Sequence, residues 1–132
     1  MKKDSVYKCP VCGLVLTVLN GCSCEQGVFC CGREMVLMPE QTADSAAEKH
    51  VPFPSTDSQN GLLKVMVGQN MAHPMTGQHH IEWIEVRSGD RVYRKELHAG
   101  EEPCAVFPVK PEAGMILREY CNVHGLWSYE IK

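Results

Sequence analysis

A chain of 132 residues has room for one ordinary domain, or for a small one joined to a domain of roughly 90 to 100 residues. Its 44% hydrophobic content suits a folded protein, and its net charge of −3 lacks the basic footprint of a nucleic-acid binder. The charged start MKKDSVYKCP leads into no apolar signal region, and no run approaches the ~18 residues of a membrane span. Neither nucleic acid nor a membrane is therefore expected as a partner, and the cytoplasm is the expected compartment. Thiols stay reduced there, so eight cysteines read as metal ligands before disulfides.

Residues 1–38 hold six of those cysteines among short apolar runs such as LVLTVL, Leu14 to Leu19. A piece this small rarely buries enough apolar surface to fold alone, so a metal staple is expected. Cys9, Cys12, Cys30 and Cys31 form C-P-V-C and C-C-G, two close pairs suited to a tetrahedral zinc or iron site. The second pair is adjacent, unlike the C-x-x-C of a zinc ribbon, and adjacency sends the two Cβ vectors apart. A structural zinc is the plainer reading of the spacing. Cys22 and Cys24 form a C-x-C that either adds thiols near this site, pairs reversibly, or sits in a turn.

Residues 39–60 are polar and proline-punctuated, with room for at most a two-turn helix around Ala43 to Lys49. They read as a linker or ordered surface loop. From 61 to 132 the pattern changes to LLKVMV, HIEWIEV, RVYRKEL, AVFPV, MILREY and LWSYEI, separated by turn-forming residues. Six short β-prone runs at near-regular spacing predict an all-β antiparallel sandwich. EVRSGDRVYR is the clearest hairpin, with its turn within Ser88 to Asp90.

Histidines fall at the ends of these segments, in KHVP, AHPM, GQHHIEW and YCNVHG, where distant side chains can converge. A single such histidine is more often a solvated surface group. Four of them, with Cys121 three residues before His124, point instead to one metal site. Imidazoles with one thiolate suit iron, copper or zinc. Five ligands overfill a structural zinc, whereas iron can keep a sixth position open. A blue-copper site is disfavoured by four imidazoles and no evident axial methionine.

YKCPVCG, CCGREM, EKHVP, HPM, HHIEWIE and REYCNVHGLW, in this order and approximate spacing, resemble desulfoferrodoxin, the two-iron class of superoxide reductase. The resemblance runs nearly end to end. It implies a desulforedoxin-like domain with one iron on Cys9, Cys12, Cys30 and Cys31, then an immunoglobulin-like sandwich with a catalytic iron. The ligands it implies there are His50, His73, His79 and His124 in the equatorial plane, with Cys121 axial. It further implies that Lys49 attracts and orients superoxide, and that Glu48 occupies the sixth position of the ferric ion. The implied reaction is one-electron reduction of superoxide to hydrogen peroxide, with re-reduction by a donor such as rubredoxin, in a homodimer.

Some positions depart from that pattern. Cys22 and Cys24 stand where small residues are common, and Cys104 is expected to be a buried, inert strand thiol. His79 and His80 would face opposite sides of a strand, and the motif selects His79. His98 is expected to be exposed. The competing reading is a non-catalytic iron or zinc protein for metal binding or electron transfer, with a closed or empty sandwich site.

Overall fold

The computed structural model describes residues 1–44 and 49–132. These form two compact units, Met1–Pro39 and Glu40–Lys132. Every strand pairing between named strands is antiparallel, and no described residue is helical. Among the described residues no helix is long and apolar enough to cross a membrane. The short helix expected around Ala43 to Lys49 falls largely on residues outside those described, as does Glu48.

The first unit has five short strands. β1 (Val6–Lys8) is central, flanked by β2 (Val15–Thr17) and by β5 (Val36–Met38). A separate hairpin joins β3 (Phe29–Cys30) to β4 (Arg33–Glu34). The buried apolar residues of this unit are Val6, Cys9, Val18 and Met35, while Leu14, Leu19, Phe29 and Leu37 stay exposed. So small a core fits the expected need for a metal staple.

The second unit begins with an isolated bridge. Gln41 donates its N–H to Leu126 O and accepts from Ser128 N–H. Then come β6 (Pro52–Thr56), β7 (Leu63–Val67), β8 (Ile81–Ser88), β9 (Arg91–Glu96), β10 (Cys104–Phe107), β11 (Ile116–Cys121) and β12 (Gly125–Glu130). All six strands read from the short β-prone runs are present. β6 lies in the segment assigned from sequence to a linker or loop. Its Pro52 and Pro54 mask the strand signal, but β6 is at a sheet edge, where alternate residues need not donate to a neighbour.

The strands form two sheets, ordered β10-β7-β6 and β12-β11-β8-β9. Leu63, Val65 and Val67 of one sheet share an apolar cluster with Ile84, Val86 and Leu117 of the other. That is the face-to-face core of a sandwich, built from alternate residues of each strand. Ser88 pairs with Arg91, so Gly89 and Asp90 make the two-residue turn of the expected hairpin. On the other face of the second sheet, Glu85 lies in register between Arg94 and Arg118. Arg118 reaches Glu85 Oε1 at 2.6 Å and Glu40 at 2.9 Å, and Arg94 donates to Glu85 Oε2. Burial works against the Arg118 charge, but Glu85 outweighs it and holds the guanidinium above its ordinary pKa. Truncating one partner of such a buried pair is expected to cost far more than the pair contributes.

The chain leaves β7 through Gly68, at φ +89°, in the left-handed region open to glycine. A Cβ there would lie 2.1 Å from Met71 O and 2.8 Å from His73 N, both backbone atoms that cannot yield cheaply. Gly68→Ala is therefore expected to destabilise the second unit by about 2 kcal/mol or more. Urea denaturation followed by tryptophan fluorescence tests this, since Trp83 and Trp127 both lie in that unit. An unchanged midpoint would contradict it.

Candidate metal centres

In the first unit the Sγ atoms of Cys9, Cys12, Cys30 and Cys31 lie within 4.8 Å of one another. Cys9 and Cys12 bracket a turn after β1, in which Val11 N–H and Cys12 N–H each donate to Cys9 Sγ at 3.4 Å. Cys30 and Cys31 belong to the β3–β4 hairpin. Cys31 and Gly32 are its two turn residues, and both have positive φ, +53° and +70°. This is the pattern of a type I′ turn, which ordinarily selects Asn, Asp or Gly. The left-handed cysteine removes the expected difficulty of adjacent Cβ vectors, bringing the two sulfurs to 3.8 Å, with Cys12 and Cys30 at 3.7 Å.

These thiols differ in acidity. The N–H of Cys12 is the main cause that lowers Cys9, to about 6, against the opposing effect of burial. Hydrogen bonding with Cys9 and Cys12 pushes Cys30 up to about 12, and Cys12 raises Cys31. One sulfur is thus ready as a thiolate at neutral pH, while two of its neighbours hold protons that a cation would displace.

In the second unit four imidazoles form a closed ring. Centroid separations are 4.6 Å for His50–His73, 4.8 Å for His73–His79, 4.9 Å for His79–His124 and 4.8 Å for His124–His50. One ligand atom from each of His50, His73, Cys121 and His124 falls within a 4.8 Å group. With metal–nitrogen bonds of about 2.1 Å, ring centroids would sit about 3.2 Å from an ion, and right-angle neighbours about 4.6 Å apart. The four observed separations are of that size, although the 4.8 Å ligand-atom group takes its nitrogens from His50, His73 and His124 and does not include His79. His79, the histidine that the motif selects, touches the rings of His73 and His124.

Each ligand is held by a local device. Asp44 Oδ1 accepts from the N–H groups of His50 and Val51, and the His50 ring stacks on Trp127 at 4.7 Å. His73 Nδ1 meets Pro74 O at 2.7 Å. A carbonyl only accepts, so Nδ1 carries the proton and the buried Nε2 presents its lone pair. Thr76 closes a turn with His79 through both its N–H and its hydroxyl. His124 N–H donates to Cys121 Sγ at 3.4 Å, and its Nδ1 lies 3.9 Å from that sulfur. The β11–β8 register slips between Tyr120 and Cys121, a bulge at the point where the thiol must be aimed.

Three residues that sequence reasoning did not single out support the site. Asp44 is the first. Asn122 is the second: it accepts from His80 N–H at 2.9 Å and donates to Gln78 O at 3.0 Å, clamping the His79 segment to the C-x-x-H turn. Glu119 is the third, buried with an oxygen 3.6 Å from His50 Nδ1. Burial, and then the charge of Asp44, raise its carboxyl well above the usual range. Asn122 was visible as the residue after Cys121, but its two partners are over 40 positions away.

Lys49 is exposed beside buried His50, and Glu48 lies outside the described residues. Cys104 is half-buried rather than buried, because its strand is the other edge of the β10-β7-β6 sheet. Burial still raises its thiol, and it sits 3.7 Å from Glu102. His98 is exposed, as expected, and paired with Glu101.

Residues 42–130 match the family model described as Desulfoferrodoxin. Desulfoferrodoxin of Desulfarculus baarsii is 46% identical over 125 residues, covering 95% of this chain and 94% of its own. Superoxide reductase of Pyrococcus abyssi is 33% identical over 107 residues, 70% of this chain and 93% of its own. The crystal structure of superoxide reductase from Treponema pallidum superposes with a TM-score of 0.72 at 27% identity, covering 95% of this chain and 96% of that one.

The thiol acidities set an expected proton count. Metal uptake by the four cysteines at pH 7 should release at least two protons, from Cys30 and Cys31, and affinity should fall as pH is lowered. Calorimetry in two buffers of different ionisation enthalpy measures this. Uptake without proton release would contradict the arrangement.

Proposed function

The chain belongs to the desulfoferrodoxin family, and from that premise we infer that it is a superoxide reductase with two iron sites, one of four cysteines and one of four histidines and a cysteine. The observation that carries this reading is the square of imidazoles with Cys121 beside it. Such a set would offer an iron five donors and leave room for a substrate, which a closed structural zinc would not. When bound, ferrous iron supplies the one electron that superoxide must gain.

The assignment of roles to residues is our proposal. His50, His73, His79 and His124 hold the catalytic iron, and Cys121 gives it a soft, electron-donating sulfur. Donation of His124 N–H to Cys121 Sγ tempers that sulfur, and the His73–Pro74 contact fixes a tautomer that points a lone pair inward. From Pro39 onward the chain carries nine Lys and Arg against thirteen Asp and Glu, so its field as a whole repels an anion. Lys49, exposed next to His50, supports a local reversal of that field, drawing superoxide to the site. Glu48 is assigned the sixth position of the ferric ion on the motif alone.

The division of labour between a small tetrathiolate domain at 1–38 and the sandwich domain is part of the same proposal, as is a homodimer. An external one-electron donor completes the cycle, and rubredoxin is our choice among such donors. We place the reaction in the cytoplasm, a reading supported by the eight cysteines, five of them assigned here to metal.

A reductase yields one peroxide for each superoxide consumed, whereas dismutation yields half as many. With an electron donor present, the expected ratio is about 1, and a ratio near one half would reject the reading. Cys121→Ser should abolish the sulfur-to-iron charge-transfer band, and an intact band would remove Cys121 from the ligand set. Lys49→Ala should keep both iron spectra yet slow the bimolecular step by roughly tenfold at low salt, with a weaker dependence on salt. Pulse radiolysis across a salt series measures it, and a rate within about twofold of the parent would end the steering role.

A further inference from the structure

Cys22 and Cys24 belong to neither iron site. Both are free and exposed, and they line a cavity of about 510 Å³ in the first unit, with Met1, Met35, Glu25 and Glu34 on the same wall. The backbone bends at Ser23 between them. Cys22 N–H donates to Met1 O at 3.0 Å, and a Cβ on Gly21 would lie 2.9 Å from that oxygen, so the loop is fixed closely against the chain start. At its other end the Glu34 side chain lies over Gly27, where a Cβ would come within 2.0 Å of Oε1. One concavity therefore gathers two thiols, two thioethers and two carboxylates.

That inventory selects among ligands. A peroxide-driven disulfide needs a ready thiolate, which neighbouring cations favour. No lysine or arginine side chain lines this cavity; its charged groups are two glutamates and the Met1 ammonium, which donates to Cys22 O at 3.0 Å and to Cys24 O at 3.3 Å. Two carboxylates against one ammonium leave the lining net negative, which favours a cation, and a cation makes its own thiolates by displacing protons. Thiolate with thioether is the donor set of a soft metal, and copper(I) is the common soft ion that accepts so few ligands.

We propose that this cavity is a binding site for one soft monovalent cation of the copper(I) type, held by the Cys22 and Cys24 thiolates with the Met35 thioether as third donor. Binding releases two thiol protons and involves no electron transfer. Met35 is buried, lines the cavity, and is anchored through its N–H to Val28 O at 2.7 Å. The site shares its unit with the tetrathiolate centre, whose iron copper would displace on affinity alone. Cys22 and Cys24 are not engaged by that iron, so they take the first equivalent without displacing it.

The test uses the reduced, iron-loaded full chain under anaerobic conditions, titrated with copper(I) buffered by bathocuproine disulfonate. The parent should bind one equivalent with its tetrathiolate iron absorbance unchanged, and that equivalent should protect Cys22 and Cys24 from alkylation, as peptide mass spectrometry reads. The double variant C22S/C24S should lose this equivalent, so that the first copper added bleaches the iron absorbance. Met35→Leu, which keeps the volume and removes the sulfur, should weaken binding by about tenfold. No uptake by the parent, uptake matched by iron release, or unchanged alkylation of Cys22 and Cys24 would each overturn the proposal. The alkylation readout needs no variant to fold.

Discussion

The second unit is organised by the cost of holding four imidazoles 4.6–4.9 Å apart in a closed ring. Crowding and partly burying so many polar rings is unfavourable unless one cation takes their lone pairs together. The rings come from four separate segments, and the sandwich core holds those segments at one end. Each then needs a backbone device of its own: Asp44 for His50, Gly68 before His73, the Thr76 turn for His79 and the C-x-x-H turn for His124. The binding energy of the cation is shared with folding, because the ring has no reason to close in an unfolded chain.

β11 shows how one strand serves two environments. Leu117, Glu119 and Cys121 face the core and the metal site, whereas Arg118 faces the opposite side with Glu85. A carboxylate is buried on each side of the sheet, with opposite results. Glu85 lies between Arg94 and Arg118, so two guanidinium partners offset the desolvation of its charge. Glu119 has His50 at 3.6 Å and the negative Asp44 nearby, so burial raises its carboxyl instead.

The first unit solves a different problem. Its core of four buried residues is too small to define a fold, and much of its apolar surface stays exposed. Four sulfurs on two turns supply the missing cross-links when a metal joins them. The left-handed Cys31 shows what that requires, since a cysteine there is strained in a way that glycine or asparagine is not. Strain at a ligand is tolerable where a metal bond over-determines its position.

The residues themselves determined a good deal. Short β-prone runs set between turn-forming residues marked β7 to β12, because apolar and β-branched residues suit a strand that packs on a core. Cysteine spacing marked the four-sulfur site, since turns that bracket a metal impose short fixed separations. The ordered motifs marked both ligand sets through resemblance. Strand β6 escaped notice because its two prolines suppress the local signal, and only its place at a sheet edge makes them harmless. The adjacency of Cys30 and Cys31 looked unfavourable until the I′ turn was seen, since the sign of φ is not written in residue identity. Asp44, Asn122 and Glu119 gain their roles from partners brought close by the fold, at separations from 6 to over 60 residues. The sequence by itself thus determined which atoms are available as ligands, and the β-prone runs that build the sheets. Only the tertiary structure decided which of those atoms meet and what holds them, because such contacts depend on the packing of segments that carry no mark of one another.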